Sequence, residues 1–364
     1  MSSDTLYKKI LAYSFLLGIV GGLGAVVFSS LTNYGIEVVF GSYNLSLRQG
    51  SLYWIPVTSA GAVCAVLIRK RYKIADKVPS AVEMAEVAVV DRSAALPLLG
   101  LAVISIVFGA SLGPSFGIIL FGGAFAGWLL RRVMPRARTS TEEDLTRIGM
   151  AGSLGAVFGA PILSVVLSVE VSKTIKNYVR FVLPLLIASS LGYVVFFGII
   201  GSTIINAYQL PEYAYRTVDL LYGVALGVFA LMALALFKLL SSFTSRLIKM
   251  LSNAYIRAIV GGAVVGLFSV LVPLSFGSGN GQLLELTSRY EEFTAVSLLV
   301  IISVKAVAIK MSEESGFVGG TVFPILFFSG ATGVLIHVLI PSIPVALSVG
   351  ALMASVPSAV LAAP

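Results

Sequence analysis

The chain has 364 residues, 57% of them hydrophobic and only 12% charged, with a mean hydropathy of +0.98. A water-soluble fold needs about a quarter of its residues charged, so this composition excludes one and makes lipid the fitting solvent. The net charge of +8 does not form a nucleic-acid face, because Lys and Arg gather in short loops between apolar runs. They sit at Lys8 and Lys9, from Arg69 to Lys73, from Arg131 to Arg138, from Lys173 to Arg180, and at Arg246 and Lys249. The loops near Asn44, Tyr208 and Glu285 carry few. Positive charge is retained on the cytoplasmic side, so the N-terminus and the basic loops are expected there, with the chain in the plasma membrane.

The predicted elements are apolar helices throughout. In chain order they cover residues 10–40, 51–68, 94–109, 114–130, 148–171, 181–205, 218–240, 258–274, 293–308, 324–340 and 344–361. The uncharged runs at 94–130, 148–169, 181–211, 258–284 and 316–364 are interrupted by Gly and Pro. One span needs about 20 apolar residues. Several runs are too long for one span and too short for two, which predicts broken or re-entrant helices packed within protein. Ser140 with Glu143 has the spacing of a capping box and predicts a helix start ahead of Ile148. The single cysteine, Cys64, excludes an intrachain disulfide and is expected to be a small buried hydrophobe. His337 is the only histidine and is expected to pack rather than bind metal. No metal cluster or nucleophile–His–acid set can be assembled, so no cofactor and no enzyme activity are expected.

The two halves of the chain share a pattern. Ala151-Gly-Ser-Leu-Gly-Ala156 resembles Val349-Gly-Ala-Leu-Met-Ala354, and each half has a Gly-then-Pro entry to an apolar helix, at Gly113-Pro114 and at Gly319–Pro324. The offsets are about 198 and about 210 residues. Residues 1–210 are therefore read as a first membrane repeat and 211–364 as a second. Paired halves with interrupted helices point to a transporter or channel with its site where the repeats meet.

Pro in the first helical turn costs no hydrogen bond, and Gly before it lets backbone approach a ligand. The first amides of a helix lack intrahelical acceptors and carry the positive end of the dipole. Helix N-termini of this kind hold an anion without a full positive charge, so the ion can also leave. Candidate segments are Ala75-Asp-Lys-Val-Pro79, Ala110-Ser-Leu-Gly-Pro114, Gly319-Gly-Thr-Val-Phe-Pro324 and the stretch near Pro357.

The order of these motifs resembles the CLC chloride channel and proton/chloride exchanger family. Residues 75–79 are similar to its GSGIP segment, 110–114 to GREGP, and 319–324 to GGIFAP. Ala151-Gly-Ser-Leu-Gly-Ala-Val-Phe-Gly-Ala-Pro161, with the helix running on to Glu170, is similar to GAAAGLAAAFNAP and the glutamate-ended helix after it. The run from Ser315 through Gly330-Ala-Thr-Gly333 is similar again, and Gly277-Ser-Gly-Asn-Gly281 falls at a glycine-rich turn of the family. The resemblance implies an inverted-repeat bundle of tilted and broken helices, and a homodimer with one pore in each protomer. Chloride would be the transported ligand, bound near Gly113, Thr321 and Val322. The family continues through further C-terminal helices, one of them carrying an anion-touching tyrosine, so the second repeat is expected to be incomplete at Pro364.

Departures from the family pattern set the expected mechanism. The external gating glutamate falls at Leu112 and the internal proton glutamate at Val171, and neither residue titrates. The anion-coordinating serine falls at Asp76, where a charged carboxylate would repel an anion unless Lys77 compensates or Asp76 caps a helix. Glu170, beside Lys173, reads as a solvated ion-pair partner. The expectation is passive, uncoupled transport of chloride or another small anion. The alternatives are a secondary anion exchanger with different coupling residues and a non-conducting membrane subunit.

Overall fold

The computed structural model describes residues 3–41, 51–75, 78, 84, 92–135, 139–170, 178–202 and 210–361. Asp76, Lys77 and Val171 lie outside the described residues. The described chain is helical: α1 (Ser3–Phe40), α2 (Trp54–Arg71), α3 (Arg92–Val107), α4 (Ser115–Val133), α5 (Thr139–Phe158), α6 (Pro161–Glu170) and α7 (Tyr178–Ile200) are followed by α8 (Asp219–Lys249), α9 (Ala254–Leu271), α10 (Asn280–Ser288), α11 (Ala295–Glu314), α12 (Val322–Leu339) and α13 (Val345–Leu361). Seven of the described helices are long and apolar enough to cross a membrane. The spans lie where the apolar runs predict them, with ends shifted by up to nine residues, as at α8, which runs on to Lys249.

Four local expectations are corrected. The run at 148–171 is two helices, because Gly159 adopts φ +64° and Pro161 opens α6, so the α-helical ladder cannot pass through. Helix α5 already starts at Thr139, so Ser140 lies inside its first turn rather than at its cap, and Glu143 faces Arg147 at 3.9 Å. Pro357 sits inside α13 rather than at a helix start. Cys64 is exposed on α2, not buried.

The chain forms two compact units that interleave along the sequence. The first unit comprises Met1–Tyr34, Tyr72–Val103 and Pro114–Ala207. Its interior is built on small residues that let helix backbones touch. A Cβ on Gly18 would lie 2.6 Å from the Ala188 carbonyl oxygen. Gly122 and Gly149 would each drive a Cβ into the other's carbonyl, Gly155 into that of Ser189, and Gly192 into that of Gly152. Without a hydrophobic force between helices in lipid, such close approach and the dispersion it gains hold the helices together.

The second unit comprises Gly35–Arg71, Ile104–Gly113 and Tyr208–Pro364. Its core is larger in side chain, with Phe237, Phe327, Phe328, Leu298, Ile302 and Val349 among its buried members. Helix α9 lies against α2 through Gly262 and Gly266, whose added Cβ atoms would stand 2.6 and 2.7 Å from the Cα atoms of Ser59 and Ile55. Outward positions of α8 are apolar: Leu221 and Val224 are 70% and 72% exposed, as lipid contact requires. Helix α12 is buried over most of its length, and its sequence is apolar on every face. His337 packs as expected: its Nδ1 stands 2.7 Å from the Ile343 carbonyl oxygen, and its ring meets Tyr290 edge to face.

Candidate functional site

Two loop segments of the second unit are sewn together by backbone. Residues 109–113 follow α3, and residues 315–321 connect α11 to α12. Gly113 N–H donates to the Gly320 carbonyl at 2.6 Å, and Gly320 N–H returns a bond to the Gly113 carbonyl at 2.8 Å. This reciprocal pair is an isolated antiparallel bridge between two Gly-Pro-type motifs some 200 positions apart. Two serines extend the seam. Ser111 N–H donates to Ser312 Oγ, and Val318 N–H donates to Ser105 Oγ, both at 2.9 Å. Each bond satisfies a buried amide that a loop would otherwise leave orphaned.

The small residues here are required by contact. A Cβ on Gly319 would lie 2.7 Å from Leu112 Cβ, and one on Gly113 would lie 3.0 Å from the Phe323 ring. Leu112, fully buried, therefore covers Gly319 directly. Residues 105–113 and 315–323 contain no Asp, Glu, Lys, Arg, His, Cys or Tyr, so this seam carries nothing that titrates near neutrality.

The seam delivers the chain into α12. Thr321 is its N-cap residue, in an αR conformation (φ −93°, ψ −10°) and without a side-chain capping bond. The amides of Thr321 and Val322 meet no acceptor among the described residues, and Pro324 in the first turn has no N–H to offer. The result is an uncapped helix start, carrying about half a positive charge, on a helix buried on all sides. The Gly113 amide, by contrast, is committed to Gly320. Of the sequence-predicted anion contacts, the structure thus brings Gly113, Thr321 and Val322 together around Gly320, with Leu112 beside them.

Ser111 escaped the sequence reading. Its hydroxyl is buried and meets no hydrogen-bond partner among the described residues. A buried hydroxyl without a partner costs about 1–3 kcal/mol, so a donor is held in reserve next to the bridge. The available signal was a polar residue in the second position of a motif otherwise made of Ala, Leu, Gly and Pro. Glu170 is exposed at the end of α6.

Spans of this number, and a buried backbone seam leading to an open helix start, define a polytopic membrane transport protein. The comparisons make the class specific. The family model described as voltage gated chloride channel matches residues 60–364, and the chain belongs to that CLC family. It is therefore a multi-pass membrane protein of an anion-transporting family rather than an enzyme. Among curated relatives, the "Putative ion-transport protein YfeO" of Salmonella choleraesuis (strain SC-B67) is 28% identical over 321 residues, covering 84% of this chain and 74% of the relative. The protein of the same name from Salmonella schwarzengrund (strain CVM19633) is 27% identical over the same shares. Among solved structures, a CLC-type fluoride/proton antiporter superposes with a TM-score of 0.80 at 18% identity, covering 99% of this chain and 88% of that one. A slow cyanobacterial Cl−/H+ antiporter gives 0.81 at 18% identity, covering 96% and 85%. At these identities the structural likeness speaks for the fold.

Proposed function

We propose that the protein is a passive pathway for chloride or a similarly small anion, not driven by a proton gradient. The observation that carries this reading is Leu112. It fills the position next to the Gly113–Gly320 bridge, is fully buried against Gly319, and cannot accept a proton. A coupled exchanger needs a group that alternates between blocking the anion when charged and carrying a proton when neutral. Leucine does neither. In this reading the anion rests on the Thr321 and Val322 amides, with the Ser111 hydroxyl as an additional donor. From the sequence resemblance alone, Asp76 and Lys77 are kept as further anion-binding candidates, and Val171 stands at the sequence position of the second proton group. The anion's charge is met by dipoles alone at the contact, which keeps binding weak enough for release.

A second reading, an exchanger with a displaced proton carrier, draws support from Glu314. It stands one residue before the 315–321 loop, accepts a bond from Ser245 Oγ at 2.7 Å, and pairs with Lys249 at 3.3 Å and Lys310 at 3.4 Å. Held by two cations and a serine hydroxyl, Glu314 is tied in place, which argues for a structural role rather than a shuttle.

The protein is further proposed to act as a homodimer in the plasma membrane with its N-terminus cytoplasmic. Support for the dimer comes from α6, a ten-residue helix too short to span lipid, which leaves Ile162, Leu163 and Val166 uncovered. Radiolabelled chloride uptake into vesicles, run with and without a proton gradient, tests the function. Equal uptake in both supports a passive pathway. Uptake accelerated by the gradient supports the exchanger, and absence of uptake supports a non-conducting subunit.

A further inference from the structure

Lys305 lies in the middle of α11, inside an apolar membrane-spanning helix, and is fully buried. A charged residue in such a place is expensive and calls for a function. Its Nζ donates to the carbonyls of Gly277 at 2.7 Å and Ser275 at 3.1 Å, and stands 5.1 Å from the centroid of the Phe327 ring. Carbonyl oxygens and the negative face of an aromatic ring are what an ammonium seeks. No carboxylate lies near enough to neutralise it among the described residues. An ammonium here is met by dipoles and a ring face and not by a countercharge.

The clamp around it is built tightly. The turn following the short 3-10 segment Pro273–Ser275 carries Phe276, whose ring packs on Phe40 and Trp54 at 5.0 and 5.2 Å. Gly279 caps α10 with φ +88°, and a Cβ there would lie 2.7 Å from Phe327 Cβ, so the turn rests directly on α12. Phe327 follows Val322 by five residues, a rise of about 7.5 Å along the helix. Lys305 Nζ, beside the Phe327 ring, therefore stands on the order of 10 Å from the first amides of α12.

We propose that Lys305 is a fixed buried cation that sets anion affinity at the start of α12 from a distance, while its carbonyl bonds hold the 275–279 turn against Phe327. The inference rests on the anion site proposed above and is independent of whether transport is coupled. With two of its three donors bonded to carbonyls and the Phe327 ring beside it, Lys305 acts in this proposal through its charge rather than as a ligand of the ion. It raises the local potential without adding a contact that would have to break on release. At roughly 12 Å and an effective dielectric of about 20, a unit charge changes the occupancy of a monovalent anion about tenfold.

Isothermal titration of the purified protein with chloride tests this, with thermal unfolding measured alongside. Lys305→Gln keeps two N–H donors for the two carbonyls but removes the charge, and is expected to raise the chloride Kd about tenfold. Lys305→Arg keeps the charge and is expected to stay within about threefold of wild type. Lys305→Met loses both and should also unfold at lower temperature. A folded Lys305→Gln protein that binds chloride as the wild type does overturns the proposal. So does equal weakening in the Gln and Arg variants, which would assign Lys305 to turn geometry alone. Wild-type protein that binds no chloride removes the α12 site itself, and this inference with it. A wild type that binds, beside a Gln variant that does not weaken, removes only the inference.

Discussion

The two compact units solve the packing problem in lipid with different emphasis, although both use glycine to bring helices close, the second at Gly262 and Gly266. The first brings helix backbones together over Gly18, Gly122, Gly149, Gly155 and Gly192. Nothing in that interface can move without a backbone moving. The second unit fills its interior with Phe237, Phe323, Phe327 and Phe328, buries Lys305, and runs non-helical backbone through its interior at 109–113 and 315–321. Irregular backbone at membrane depth survives only where its polar groups are satisfied within protein or face a cavity. The seam of serine and glycine bonds does much of that work, and the amides it leaves open include those of Thr321 and Val322 at the start of α12. The contrast separates a scaffold from the proposed site. The first unit is packed largely over small residues, and the second adds to such contacts polar backbone held by chosen side chains.

The contrast can be broken most severely in the first unit. Gly155→Val would drive a branched side chain into the Ser189 carbonyl. Overpacking ordinarily costs 1–3 kcal/mol, and against backbone the cost should exceed about 3 kcal/mol. The expected outcome is loss of folded, monodisperse protein in detergent by size-exclusion chromatography. A variant that elutes and melts like the wild type would show that the small-residue interface is slack.

In the second unit, Leu112→Glu sharpens the comparison by changing function while the fold persists. It places a titratable carboxylate against Gly319 at the bridge. Chloride flux through that variant is expected to fall at least tenfold as pH rises from about 4 to about 7.5, through the glutamate range. The ionised carboxylate competes with the anion, and the protonated one does not. Stopped-flow flux at stepped pH checks this, and wild-type flux should be flat over the same range.

The smallest effect is expected at Asp144, near the start of α5 in the first unit. Burial, opposed by Arg147 and reinforced by Glu143, raises its carboxyl to about 6. A raised carboxyl binds its proton more tightly in the folded state than in the unfolded one. Its favourable contribution is therefore present below about pH 4 and is lost as pH rises through 6. Asp144→Asn should stabilise the protein at pH 7 by at most about 1–2 kcal/mol, since solvent still reaches the group, and should change little at pH 4. Thermal unfolding at the two pH values measures the difference.

Much of this was legible in the sequence, for physical reasons that differ by residue. Apolar run length located the spans because lipid thickness dictates it. Gly159-Ala160-Pro161 marked the break between α5 and α6 only in retrospect, since Gly and Pro also occur inside spans: Pro97, Pro184 and Pro357 all sit within helices. The motifs at 110–114 and 319–324 were legible as a pair. That Gly113 and Gly320 bond to each other was not, because a bridge between distant segments leaves no local pattern. The commitment of the Gly113 amide and the spare hydroxyl of Ser111 follow from that bridge and were equally hidden. Lys305 was visible as a lone charge in an apolar run, but its meaning depends on the Ser275 and Gly277 carbonyls, which only the fold brings within reach.

The account turns on an anion path without a proton carrier. Its most direct test is the reversal potential of the reconstituted protein under a tenfold chloride gradient, measured with and without an opposing pH gradient. The expected result is a reversal potential set by chloride alone and unmoved by pH. A shift toward the proton gradient would contradict it, and would move the search for a coupling residue from Leu112 to Glu314.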